Sequence, residues 1–381
     1  MVWIRRKHTF LLKLTFYVSY LSLAIYIFQN LFQAYTLKEQ YKTENLQSGS
    51  FKSFPLKTKS ISVGYAFLLH REERMRKNNY EDLIIQDKKT PIYHHYPLNV
   101  DMKGILEKIK KREPVSLTVI NPHPFSYIIN PEKTCLSSKI SLVILVKSAA
   151  SHMENRDAIR KTWGNITDPA IRIVFLIGSS KFNPLIMREN AFHHDIIQED
   201  FQDVYRNNTY KTIMAFKWAT TYCSGARYLL FVDDDFYVNL PNLRFFLQKF
   251  MSNVSLLSGY VLPMSEPFRD KSSKWYVSFD DYPFQRYPPY LAGGAIIASM
   301  DVAQQMATVF PYVKYLVIDD AYLGIVAYKL GIHISHNRQI TDKHCQDWRL
   351  RSKIACHGFG NASVLLQTWI RLKDVTTQTG N

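Results

Sequence analysis

Residues 228–239 read YLLFVDDDFYVN. The first five form an apolar run of strand length, and Asp233, Asp234 and Asp235 follow without a break. Carboxylates at the end of a buried strand are costly to desolvate unless something cationic meets them. Alternate side chains of an extended segment share a face, so Asp233 and Asp235 project together and can hold one hard cation such as manganese or magnesium. That cation would in turn neutralise a diphosphate. An acidic turn capping the next helix is the plainer reading of the motif by itself.

Upstream, residues 140–146 (ISLVILV) show the same continuous apolar pattern, and a polar turn leads from them into residues 155–163, which have helical character. Residues 171–177 (IRIVFLI) form a second buried strand ending at Gly178, and residues 195–198 suit a short third. Residues 205–222 read as a long helix with Lys211, Ala215, Trp218 and Tyr222 on one face. The strand before the aspartates is the fourth. Strands alternating with helices predict the α/β class, a Rossmann-like, mostly parallel sheet with helices on both faces, and such sheets bind ligands at the carboxyl ends of their strands. Trp163 and Trp218 read as core. Cys135 precedes the first strand and Cys223 the aspartate-bearing strand, so the two can pair if those strands are neighbours.

The chain has 381 residues, enough for one large domain of roughly 200–250 residues plus other material. Residues 14–37 are 24 consecutive uncharged positions, and a spanning helix needs about 20. Arg5, Arg6 and Lys7 stand ahead of it, whereas the far flank mixes both signs, so the positive-inside rule places a tail, residues 1–13, in the cytosol and the remainder in the lumen. A cleaved signal peptide is the alternative, but its apolar core is shorter. Residues 38–133 read as a stem with local structure near residues 102–111, and residues 134–381 as the catalytic domain. The formal charge of +16 comes from small basic clusters lying mostly before the motifs, with no zinc-finger spacing, which argues against nucleic acid as a partner. The four cysteines contain no C-x-x-C pair, and sequons begin at Asn165, Asn207, Asn253 and Asn361; both features permit a lumenal, disulfide-bonded domain.

Five segments occur in one order: RDAIRKTWG at 156–164, DFQDVYRNNTYKT at 200–212, FVDDDFYVN at 231–239, YPPYLAGGAIIAS at 287–299 and IDDAYLGIVAYKLGI at 318–332. Together they resemble the beta-1,3-galactosyltransferase family, glycosyltransferase family 31, which also holds beta-1,3-N-acetylglucosaminyltransferases. The resemblance covers roughly residues 135–375. It implies a GT-A fold on a type II, single-pass Golgi membrane protein. In such a protein Asp233, Asp234 and Asp235 bind manganese and the UDP-sugar, Asp235 as direct metal ligand and Asp233 facing the nucleotide. His357 stands where the family has its late metal-binding histidine. In the acidic pair Asp319-Asp320, the second acid inherits the role of catalytic base; without the family, both are helix N-cap acids.

The implied chemistry is an inverting displacement, in which one carboxylate takes the proton of an acceptor hydroxyl while the metal stabilises the departing UDP. Arg156, Arg160 and Lys211 are candidates for diphosphate or uridine contacts, and Gly293 and Gly294 for close approach of backbone to a sugar. Trp275, Tyr276 and Tyr282 are candidates for stacking on an acceptor. Departures from the family pattern, Asn208 for Leu, Asp319 for Glu and Ala321 for Val, weaken any transfer of substrate specificity. The expected function is metal-dependent beta-1,3 transfer of galactose or N-acetylglucosamine from a UDP-sugar to a glycan acceptor. The rivals are a non-catalytic lumenal chaperone or sugar-binding protein on the same fold and a nucleotide-sugar hydrolase.

Overall fold

The computed structural model describes residues 100–136, 139–250 and 254–378. The expected tail, the anchor at 14–37 and the stem up to residue 99 lie outside them. Among the described residues no helix is long and apolar enough to cross a membrane.

The central sheet has eight strands. Its parallel heart is β2 (Leu142–Lys147), β3 (Ile171–Ser179), β4 (Ile196–Gln202) and β5 (Tyr228–Asp233), ordered β4-β3-β2-β5. β1 (Tyr127–Ile129) closes one edge antiparallel to β4. Beyond β5 run β8 (Tyr290–Ser299), antiparallel, then β7 (Leu257–Leu262) and the two-residue β9 (Ser335–His336). The four strands read from sequence are the parallel four. The third is longer than predicted, because Glu199 and Phe201 are buried although polar residues interrupt its apolar pattern. The long helix begins as a 3₁₀ turn, Tyr205–Asn207, and continues as α4 (Asn208–Tyr222).

Both faces of the sheet are covered. On one, α2 (Met153–Lys161) contributes Ala158 and Ile159 to a core shared with Leu142, Ile144, Val146, Leu230 and Val232. The alternate residue Phe231 turns to the other face and stacks on Phe216 of α4, ring centroids 4.3 Å apart. Period-two alternation within a fully apolar strand thus feeds two cores. Trp163 and Trp218 are buried as expected, their indole N–H groups donating to Phe236 O and Asn130 Oδ1. A small sheet, β10 (Ile340–His344), β11 (Ala355–His357) and β6 (Phe236–Val238), packs into the first core and carries the chain on from the aspartates.

Packed structure begins ahead of residue 134. Helix α1 (Met102–Lys110) buries Met102, Ile105 and Leu106 and packs against α6 (Met300–Val309) and α7 (Asp319–Leu330), while β1 joins the sheet. Asn121 Nδ2 donates to the Tyr322 hydroxyl at 3.1 Å. Residues 102–110 and 127–129, read as stem, are therefore built into the folded unit. The helix finds its partners about 190 or more residues away and β1 finds β4 about 70 residues on, which local periodicity does not reveal.

β2 and β5 are neighbours in register from Leu142 opposite Tyr228 to Lys147 opposite Asp233. That pairing brings the residues before each strand together, and Cys135 is bonded to Cys223. A second disulfide joins Cys345 to Cys356. The first closes a separation of 88 residues. Replacing both Cys135 and Cys223 by serine is expected to cost about 2–5 kcal/mol of stability, read as a lower denaturant midpoint than that of the unsubstituted chain; an unchanged midpoint would contradict this.

Candidate active site

The parallel strands β2 and β5 end side by side, and their last residues are Lys147 and Asp233. The Lys147 ammonium lies 3.0 Å from Asp233 Oδ1 and 2.8 Å from Asp319 Oδ2, with a side chain only 10 % exposed. Burial works against the charged ammonium, but the two carboxylates prevail and hold its pKa above the ordinary value. The Asp233 carboxyl is pushed up to about 6 by burial and by Asp235 and Asp319, against the pull of Lys147. Its side chain keeps 37 % exposure, so solvent in the cleft moderates that push.

Asp319 and Asp320 open helix α7, where the positive end of the helix favours acids. Their environments differ. Asp319 Oδ2 accepts from Lys147 and, at 2.8 Å, from the Thr212 hydroxyl. Burial would raise its pKa, yet Lys147 and Thr212 bring it below the usual value. Asp320 has backbone partners: Ala321 N donates to Oδ1 at 2.8 Å and Gly293 N to Oδ2 at 3.2 Å. Burial and the neighbouring charge of Asp319 raise its carboxyl to about 7. One acid is neutralised by a fixed cation, while the next is kept close to the threshold of ionisation.

Asp234 points away from this pair. It is buried, accepting from the Ser148 hydroxyl at 2.6 Å and contacting His152 Nδ1 at 2.9 Å, a contact that raises the histidine's pKa. Ser148 is held from both sides, Arg156 donating to its hydroxyl at 2.9 Å and Lys211 to its carbonyl at 2.7 Å. Arg156 is fully buried in a two-pronged pair with Glu189, Arg160 forks onto Asp195, and Lys211 also meets Asp203. The three cations expected at a diphosphate are thus turned inward, where they brace the loop after β2. Their acidic partners lie 8 to 35 residues away in sequence, too far for local pattern to reveal the pairing.

The glycines also serve the protein itself. A Cβ on Gly294 would lie 2.2 Å from Phe236 Cζ, and one on Gly293 would meet Asp320 Cβ at 3.1 Å. Phe236 and Asp320 occupy the close-approach space expected for a sugar.

Asp235 and His357 come together across β6 and β11, which pair Phe236 with His357. His357 Nε2 is 3.0 Å from Asp235 Oδ2, and both side chains are partly open. Asp235 Oδ1 is buried with no hydrogen-bond partner, while Gly358 N and Phe359 N hold the Asp235 carbonyl. A carboxylate oxygen lacking a partner beside an imidazole nitrogen is a donor set that suits a divalent cation such as manganese. Asp233, the other expected ligand, is turned to Lys147, and among the described residues no three His, Cys, Asp or Glu side chains converge as a metal cluster.

Asp233, Asp235, Asp319, Asp320 and His357 therefore belong to one region at the strand ends. Lys147, Thr212, Ser148 and His152 were not anticipated. Lys147 carried a signal, a lysine directly after five apolar strand residues; the hydroxyls carried none.

The family described as Galactosyltransferase matches residues 154–338. The chain is 36 % identical over 298 residues to "Beta-1,3-galactosyltransferase brn" of Drosophila melanogaster, covering 73 % of this chain and 86 % of that protein. It is 38 % identical over 226 residues to "Beta-1,3-galactosyltransferase 1" of Homo sapiens, covering 57 % and 69 %. It is also 35 % identical over 229 residues to "Lactosylceramide 1,3-N-acetyl-beta-D-glucosaminyltransferase" of Rattus norvegicus, covering 56 % and 60 %.

Replacing Lys147 with methionine leaves two carboxylates facing each other without their cation, and is expected to cost about 3 kcal/mol. Equilibrium denaturation measures this, and a variant as stable as the parent would show that the ammonium is dispensable.

Proposed function

The chain belongs to the galactosyltransferase family, and from that premise we propose that it is an inverting, metal-dependent beta-1,3-glycosyltransferase acting on a UDP-sugar. It is a hexosyltransferase; the finer reading rests on the site. Its main support is Asp320, a carboxylate held by two backbone amides beside a neighbour already neutralised by Lys147.

Asp320 removes the proton from the acceptor hydroxyl as that oxygen attacks the anomeric carbon. The new glycosidic C–O bond forms while the bond to the UDP oxygen breaks, on opposite faces, so the configuration inverts without a covalent enzyme intermediate. Lys147 keeps Asp319 ionised and engaged, which leaves Asp320 as the carboxylate able to accept the proton. Asp235 and His357 would hold a divalent cation, which when bound supplies positive charge to the departing diphosphate. Asp234 serves as an anchor, fixing the aspartate run to the loop after β2.

The donor is UDP-galactose or UDP-N-acetylglucosamine, since relatives named for each transfer have similar identity to this chain. The acceptor is a glycan. Residues 14–37 are read as the anchor of a Golgi type II protein with a lumenal GT-A domain. Two disulfides in a packed domain support an oxidising compartment.

UDP release with each donor against a panel of glycan acceptors tests the reading. Turnover is expected to require both acceptor and metal, and a chelator should abolish it. Asp320→Asn is expected to lower kcat/KM by about 10²–10⁴-fold; near-normal turnover in this variant would remove Asp320 from the mechanism.

The base must be ionised to act. With its carboxyl at about 7, log kcat/KM should rise with pH at slopes approaching one below pH 7 and flatten above it. A profile that rises toward acid would contradict the assignment.

A further inference from the structure

Four sequons occur in the sequence, and the fold places them very differently. Asn253 lies outside the described residues. Asn165-Ile166-Thr167 follows the last turn of α2 and leads to the start of β3. The turn is fixed: Gly164 N donates to the Ile159 carbonyl at 2.8 Å and Asn165 N to the Thr162 carbonyl at 3.1 Å, while Trp163 is buried. Beyond it Asn165 and Thr167 are exposed, and among the described residues neither side chain has a hydrogen-bond partner. Ser141 N donates to the Ala170 carbonyl at 2.8 Å, which sets this connection at the end of the sheet where β2 and β3 begin. β2 runs six residues from Leu142 to Lys147, so its two ends stand roughly 17 Å apart at a rise of about 3.3 Å per residue. The cleft lies at the far end.

The other two sequons are on the cleft side. Asn207 stands between the end of β4 and α4, half-buried, and its side-chain amide donates to the Gln202 carbonyl at 2.8 Å. Thr209, the hydroxyl residue of that sequon, is fully buried and donates to the Leu316 carbonyl at 2.6 Å. The Arg206 carbonyl accepts from the Tyr315 hydroxyl at the same distance, so this turn docks on the segment just before the acid pair. An oligosaccharide on Asn207 would be carried into that contact. Asn361 is exposed, but its Oδ1 accepts from Ser363 N at 2.9 Å at the start of the last helix (Ala362–Gln378). Its neighbour Gly360 lies against Asp235, where a Cβ would come within 3.4 Å of Asp235 Cβ. A bulky group there would crowd the carboxylate and His357.

We propose that Asn165 carries an N-linked oligosaccharide in the folded chain and that Asn207 and Asn361 do not. The inference rests on the lumenal reading above, since the sequon is an acceptor only on that side of the membrane. In the modification, Asn165 Nδ2 bonds to the anomeric carbon of an oligosaccharide supplied on a polyisoprenyl diphosphate. The anomeric C–O bond to the diphosphate breaks, the diphosphate leaves with the electron pair, and the amide gives up one proton. A glycan added before folding must still be accommodated by the fold, and so bulky and hydrated a group needs a surface position. Asn165 offers that position, at the end of the sheet away from the cleft, with no hydrogen bond to surrender.

The test uses the full chain, produced in cells with a secretory pathway and extended after Asn381 by a long Gly/Ser tail that carries one Asn-Gly-Thr sequon as a reporter of compartment. Enzymatic release of N-glycans in heavy-oxygen water converts each carrier asparagine to labelled aspartate, which peptide mass spectrometry locates. Label is expected at Asn165 and in the tail, and none at Asn207 or Asn361. Asn165→Gln and Thr167→Ala should each remove one glycan step from the gel mobility, the second with the asparagine still in place. Asn207→Gln should leave the mobility unchanged.

The tail separates this inference from its premise. A labelled tail beside an unlabelled Asn165 would overturn the assignment of the site, and label on Asn207 or Asn361 would overturn their exclusion. If neither the tail nor Asn165 is labelled, the lumenal reading fails and the inference falls with it.

Discussion

A single buried ammonium, Lys147, sets the electrostatics of the cleft. It stands between Asp233 at the end of β5 and Asp319 at the start of α7, two elements far apart in the chain. Its position follows from the register of β2 on β5, because Lys147 and Asp233 are the paired terminal residues of neighbouring parallel strands. A one-residue slip would turn the ammonium to the opposite face of the sheet. Satisfying Asp319 in this way leaves the adjacent Asp320 with backbone amides alone. Two adjacent acids thus acquire opposite pKa directions from environments that diverge within one residue.

A second set of charges lies beneath the first. Arg156, Arg160 and Lys211 with Glu189, Asp195 and Asp203 form ion pairs with little solvent access. Breaking any one would strand a partner in low dielectric. Arg156 and Lys211 meet on Ser148, and Ser148 holds Asp234, so the aspartate run is fixed from behind. A cation near a nucleotide-binding motif is easily read as a phosphate ligand; here Arg156 is enclosed, and structure rather than residue type decides its role.

The parallel strands were legible because each is a short, strongly apolar run, and the Cys135–Cys223 bond followed once two of them were neighbours; the helix Asn183–His193 carried no such pattern and was not legible. The Asp run was legible because three acids after YLLFV conflict with burial. The antiparallel half was less so. β8 contains Gly293 and Gly294 within its apolar residues, and these resemble a turn until Asp320 and Phe236 are seen filling the space that missing Cβ atoms leave. Residues 102–111 carry a visible amphipathic pattern, but that α1 and β1 belong to the folded unit was hidden, because their partners lie about 190 and about 70 residues further along. The meeting of Asp235 with His357 depends on β6 pairing with β11 across about 120 residues, a contact that only the family resemblance anticipated.

The small sheet has a consequence in time. Its strands come from residues 236–238, 340–344 and 355–357, so the half of the site around Asp235 waits for a segment near the end of the chain. During synthesis the parallel heart can collapse once β5 has emerged, with Lys147 and Asp233 already opposed. Asp319 and Asp320 then arrive about 85 residues later, and His357 later still. At roughly 5–20 residues per second, several seconds separate the first cation–carboxylate contact from the last. Loss of the final residues would strip Phe359 and Leu365 from the core and His357 from Asp235, while Lys147 could still meet Asp233 and Asp319.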